Sequence, residues 1–96
     1  MLALRPAAAS SYVNLALAQA RQKNFDKAIE NLKQATYIKP APPAYYYLAL
    51  SYREKGDVRE AARYLELYLE DPKDEPETRI KNAQAGLEYL KKLLNK

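Results

Sequence analysis

Five positions of this chain recur at one fixed distance. Tyr12, Leu15 and Ala16 return as Tyr45, Leu48 and Ala49, and Ala28 and Leu32 return as Ala61 and Leu65. The offset is 33 residues at all five. A period in the low thirties, with a small residue where two helices must cross, marks a helical-hairpin repeat. Stacked hairpins present an extended surface suited to binding rather than a closed catalytic pocket.

The remaining composition agrees with that constraint. Ninety-six residues make one small domain, and a fold of this size buries roughly 60–65% of the surface its unfolded chain exposes. A hydrophobic content of 48% with only two glycines reads as a folded helical chain rather than a disordered one. Cysteine and histidine are both absent. There is therefore no disulfide framework and no thiolate metal site, and the commonest general base and metal ligand is missing. Ser10, Ser11 and Ser51 have no histidine to activate them, and no glycine-rich phosphate loop occurs. The chain reads as a non-enzyme, with no cofactor and no metal.

Charge and hydropathy limit the partners. The net charge is +4, spread along the chain. From Glu77 to Lys96 five basic residues outnumber two acidic ones, which reads first as a solvated helix end. Lys81, Lys91, Lys92 and Lys96 give a weaker reading as an anion or nucleic-acid patch, whose sign would be steep salt dependence. No stretch approaches the ~20 apolar residues of a membrane span. Arg5 and Pro6 interrupt an apolar run too short for a signal peptide. A soluble protein of undetermined compartment is expected.

Five helices are predicted, over about 9–22, 25–37, 43–55, 57–71 and 77–94. Asn24 is placed to cap the second. Pro40, Pro42 and Pro43 end that helix and open the third. Gly56 supplies the left-handed residue that stops the third. Asp57-x-x-Glu60 fits a capping box for the fourth, and Asp74-x-x-Glu77 for the fifth. The acidic run Glu70, Asp71, Asp74, Glu75, Glu77 lacks the glycine and ligand spacing of a calcium loop, so helix capping is its expected role. Short turns force the helix pairs to pack antiparallel. In the tyrosine run, Tyr45 is read as core, Tyr46 as groove and Tyr47 as packing inside its hairpin, since successive helical residues point about 100° apart.

At these residues the chain resembles the tetratricopeptide repeat (TPR) family. Its pattern is a large aromatic, x2-Leu-[Gly/Ala], x2-Tyr, x8-Ala, x3-[Phe/Tyr/Leu], x2-Ala, x4-Pro. One repeat reads Tyr12, Leu15, Ala16, Gln19, Ala28, Leu32, Ala35, Pro40; the next reads Tyr45, Leu48, Ala49, Tyr52, Ala61, Leu65, Tyr68, Pro72. Gln19 stands where tyrosine is usual, Lys23 where the turn usually has glycine, and Tyr68 where a small residue is usual. Pro72 comes one residue early. Tyr68 is expected to pack on the fifth helix.

The resemblance implies an all-α fold: two antiparallel TPR hairpins plus a terminal capping helix, forming a short right-handed superhelix. Residues 9–41 would be the first repeat, 42–74 the second and 75–96 the cap. Residues 1–8 would be the tail of a preceding repeat, since Leu2-x-Leu4-Arg5-Pro6 looks like a closing turn and Pro6 precedes Pro40 by 34 residues. Three repeats are normally wanted for stability, so the chain is expected to be a segment of a longer array, or its remnant, with apolar surface at its N-terminal edge.

The function implied is protein–protein interaction. In the family the first helix of each hairpin lines a concave groove. By matching position the groove residues are Val13, Leu17, Ala20 and Arg21, then Tyr46, Leu50, Arg53 and Glu54. Val13, Leu17, Tyr46 and Leu50 form an apolar strip, and Arg21 and Arg53 a charged margin. That suits an apolar or amphipathic partner segment carrying acidic groups. Alanine at Tyr46 and Leu50 should weaken binding without unfolding the domain. The same side chains could instead pack on the fifth helix or a neighbouring repeat, leaving a scaffold segment or self-associating homo-oligomer with no ligand of its own. The subclass that grips chaperone-tail carboxylates uses Lys and Asn on this face. Val13, Leu17 and Tyr47 stand at those positions, so the clamp is absent. The RNA-binding pentatricopeptide relatives have a period of about 35 and polar groove residues, which disfavours nucleic acid.

Overall fold

The computed structural model describes residues 6–95. They form five helices and no strand: α1 (Pro6–Arg21), α2 (Phe25–Ile38), α3 (Pro42–Lys55), α4 (Val58–Glu70) and α5 (Glu77–Leu94). Pro6, expected in a closing turn, is instead the first residue of α1. The rest of that expected turn, Leu2 to Arg5, lies outside the described residues.

The two hairpins turn in the same way. Lys23 N–H donates to the Ala20 carbonyl at 2.9 Å, and Asn24 N–H to that of Gln19 at 2.8 Å. Thirty-three residues on, Gly56 N–H donates to Arg53 and Asp57 N–H to Tyr52, both at 2.9 Å. This pairing closes a helix on a left-handed residue. Gly56 takes that conformation at φ 88°, and so does Lys23 at φ 63°, where a β-carbon is unfavourable.

The expected caps divide. Asp57 Oδ1 accepts from the Glu60 N–H at 3.3 Å, which satisfies one orphan amide of α4. The Glu60 carboxylate does not return the bond but pairs with Arg63. Asn24 occupies the N-cap of α2 without a side-chain bond. The N-cap of α5 is Pro76, not Asp74; Asp74 lies two residues before it, in the left-handed region at φ 63°. Pro42 and Pro43 take the first turn of α3, where a missing N–H costs nothing.

The small residues do the crossing. Ala16, Ala28, Ala49 and Ala61 are each no more than 2% exposed, so the backbones of each hairpin approach closely. Leu32, Leu48 and Leu65 fill the layer between hairpins. α3 is held between α2 and α4, while α1 packs on α2 and meets α3 only marginally. One repeat position departs from this. Leu15 is 49% exposed although its counterpart Leu48 is fully buried. The flank of α3 that receives α2 has no covering helix on α1 among the described residues, so Leu15 faces solvent.

Gln19 and Tyr52 are counterparts, as are Asn31 and Tyr64. Tyr52 and Tyr64 stack 5.6 Å apart and 6° from parallel, and Tyr64 also stacks with Tyr45 at 6.2 Å. In the first hairpin the same two positions carry an amide pair, with Asn31 Nδ2 donating to Gln19 Oε1 at 2.7 Å.

Candidate functional site

The first helices of the hairpins and α5 lie side by side with gaps between them. The gap between α1 and α3 is a concavity of about 460 Å³. Leu17 and Ala20 from α1 and Tyr47 and Leu50 from α3 give it apolar walls, and Phe25, the first residue of α2, lines it too. Arg21, Lys23, Arg53 and Glu54 stand around it. Of the expected groove residues, Leu17, Arg21, Leu50 and Arg53 are thus brought together, with Ala20 and Glu54.

Val13 and Tyr46 lie elsewhere. Val13 borders a second concavity toward the start of α1, with Ala9, Ala35 and Pro43. Tyr46 borders a third, between α3 and α5, with Gly86, Tyr89 and Leu90. Leu50 and Arg53 line this third concavity as well as the first, so α3 is a ridge with a groove on each side. Tyr89, 61% exposed, has no counterpart in the repeat and was not expected there.

Tyr46 is not a free groove residue. Its ring lies 5.3 Å from that of Tyr68, and the Arg79 guanidinium covers it at 5.3 Å. Tyr46 and Tyr47 meet edge to face at 5.8 Å, and Tyr45 packs inside its own hairpin against Tyr64. Truncating Tyr46 therefore removes packing as well as surface.

Arg79 and Glu75 anchor α5 to this wall. Arg79 Nη1 meets Glu75 Oε1 at 3.1 Å, and Nη2 donates to the Tyr47 hydroxyl at 3.3 Å. The Tyr68 hydroxyl donates to the same Glu75 oxygen at 2.9 Å. The Glu75 side chain is only 7% exposed, so the acidic run holds a buried acceptor rather than the expected cap. Burial, and then the Glu75 carboxylate, push the Tyr68 hydroxyl far above the ordinary tyrosine range. Burial works against the Arg79 charge, yet the bond to Glu75 leaves its pKa raised. Glu75 and Arg79 stand four apart, the spacing of a helical ion pair, which was the one signal available in the sequence. Tyr68, expected on the fifth helix, is fully buried between Tyr46 and this carboxylate.

Among the described residues no group of three or more acidic side chains is placed to hold a metal ion. No described helix is long and apolar enough to cross a membrane. The geometry is that of a helical-hairpin repeat protein with an open, apolar inner face. Residues 9–42 and 43–73 each match a family model described as tetratricopeptide repeat. The chain belongs to the tetratricopeptide repeat family. Such repeats are in general protein–protein interaction modules, and the family is typically a non-enzymatic scaffold. No curated protein matches the chain.

Proposed function

We propose that the chain is a non-catalytic interaction module that takes an apolar or amphipathic segment of a partner protein into its concave face. Leu17 and Leu50 are the principal anchors, Val13 and Tyr46 border the concavities on either side, and Arg21 and Arg53 form the margin. One observation carries this reading: Leu17, Ala20, Tyr47 and Leu50, from two helices that barely touch, line a single open concavity. Exposed apolar surface gathered in a groove is what a hydrophobic segment fits.

The test is a nitrogen-15 NMR titration with short amphipathic peptides of Leu and Phe. Shift changes should centre on Leu17, Ala20, Leu50 and Arg53, and Leu50→Ala should weaken them with helicity unchanged. Changes confined to the outer faces of α2 and α4 would sink the assignment.

Leu15 supports a second reading, in which the α1 flank meets a neighbouring repeat or a second copy. Light-scattering mass that rises with concentration, and falls back in Leu15→Gln, would favour it.

A further inference from the structure

The α1–α3 groove is apolar along its length but cationic at one end. Arg21, Lys23 and Arg53 stand around it with Glu54 as the single acidic neighbour. None of the three cations is ion-paired among the described residues, where the pairs are Lys55–Asp26, Arg63–Glu60, Arg79–Glu75 and Lys81–Glu77. The turn that carries Lys23 also brings Phe25 to the groove, so the start of α2, with its partial positive charge, lies beside them.

Lys23 occupies an unfavourable backbone conformation to stand there. Its φ is 63°, and the equivalent turn of the second hairpin uses Gly56. Glycine would serve the first turn as well, because the two turns make the same backbone hydrogen bonds. A side chain held in a sparsely populated conformation, where the sister turn avoids it, points to a use for that side chain.

We infer that Lys23, with Arg21 and Arg53, forms an anion-receiving end of the groove, and that the partner is a protein segment whose apolar anchors are followed by acidic residues. This rests on the groove-binding reading above. The acidic end of the segment lies toward the α1–α2 turn and its apolar part toward Leu17 and Leu50, which fixes its direction. The aliphatic walls of Leu17, Ala20 and Leu50 favour a peptide over a nucleic acid, for which the groove offers only the Phe25 and Tyr47 rings as stacking surfaces.

The experiment titrates fluorescein-labelled peptides with a common Leu and Phe core, followed by a run of Glu, Gln or Lys, against the wild type and against Lys23→Gly, Lys23→Gln and Lys23→Arg. Each variant is also unfolded in urea. The Glu peptide should bind the wild type most tightly. Lys23→Gly should bind it about two- to fivefold more weakly, the range of an exposed ion pair, while unfolding at higher urea. Lys23→Gln should lose the same affinity with no gain in stability, and Lys23→Arg should keep it. Unchanged Glu-peptide affinity in Lys23→Gly and Lys23→Gln, or preference for the Lys peptide, would overturn the inference and leave the groove reading standing. Tighter binding of a labelled oligothymidylate than of the Glu peptide would assign the cations to nucleic acid instead. Failure of all three peptides to bind the wild type would remove the groove reading, and this inference with it.

Discussion

The Asn31 amide donates to Gln19 at 2.7 Å, across the contact that the second hairpin makes with the stacked rings of Tyr52 and Tyr64. One position pair thus joins the helices of both hairpins by different chemistry. Gln19→Ala should cost about 1 kcal/mol, the net worth of one hydrogen bond. Tyrosine at both 19 and 31 should restore a ring pair worth about 0.5–1.5 kcal/mol beyond its burial. Urea unfolding of the two single variants and the double variant tests this, and additivity of the singles would show that the residues are not coupled.

Gly56 isolates the cost of the left-handed turn. A β-carbon there would meet nothing within 4 Å, so Gly56→Ala changes only backbone preference and should cost about 1–2 kcal/mol. A urea midpoint equal to that of the wild type would mean the turn is not held left-handed in solution.

Glu75 accepts from both Tyr68 and Arg79, so Glu75→Ala leaves two groups in want of an acceptor. A loss of about 1–3 kcal/mol is expected. Because these bonds tie α5 and the loop before it to α4, amide exchange should quicken through Ile80 to Leu90 more than in α1 and α2. Uniform acceleration along the chain would argue against a local anchor.

Tyr46 and Leu50 should separate stability from binding. Tyr46 packs on Tyr68 beneath Arg79, and its truncation should cost about 2 kcal/mol, below the range of a fully buried aromatic. Leu50→Ala should lower thermal stability less and peptide affinity more. The reverse order would place the binding surface between α3 and α5.

Tyr68 makes stability sensitive to alkali. Its hydroxyl is raised in the folded chain, whereas an unfolded tyrosine titrates near about pH 10. The unfolded state therefore loses its proton first. Stability is full below about pH 10 and falls as the pH climbs toward the folded value. Tyr68→Phe should flatten that fall in urea midpoints, leaving a remnant from Tyr64, whose hydroxyl burial also raises. An equal alkaline fall in Tyr68→Phe would assign it to other groups.

The helices and their crossings were legible because period and residue size act locally. Ala16, Ala28, Ala49 and Ala61 are buried wherever hairpins pack, and Gly56 stops a helix by its own backbone. Leu15 shows the limit: repeat symmetry assigns it to the core, but burial needs a neighbour on that side. Asn24 and Asp74 have the right chemistry for caps, yet Asn24 makes no side-chain cap bond and Pro76, not Asp74, holds the N-cap of α5. The anchoring of Tyr46 by Arg79 joins residues distant in the chain, and no short-range pattern contains it. Leu17, Arg21, Leu50 and Arg53 were grouped by the family resemblance, position by position, and they line one concavity. That Val13 and Tyr46 border different concavities depends on how far the helices splay.

Leu50 and Arg53 belong to both grooves that flank α3. Two short segments, one on each side, would contend for the same guanidinium, so each would raise the other's dissociation constant. A longer segment crossing the ridge would meet Arg53 once, midway, and gain from joining its halves what two separate ligands lose. For a partner bound as proposed, the ridge would thereby count its visitors, favouring one continuous strand over two independent ones.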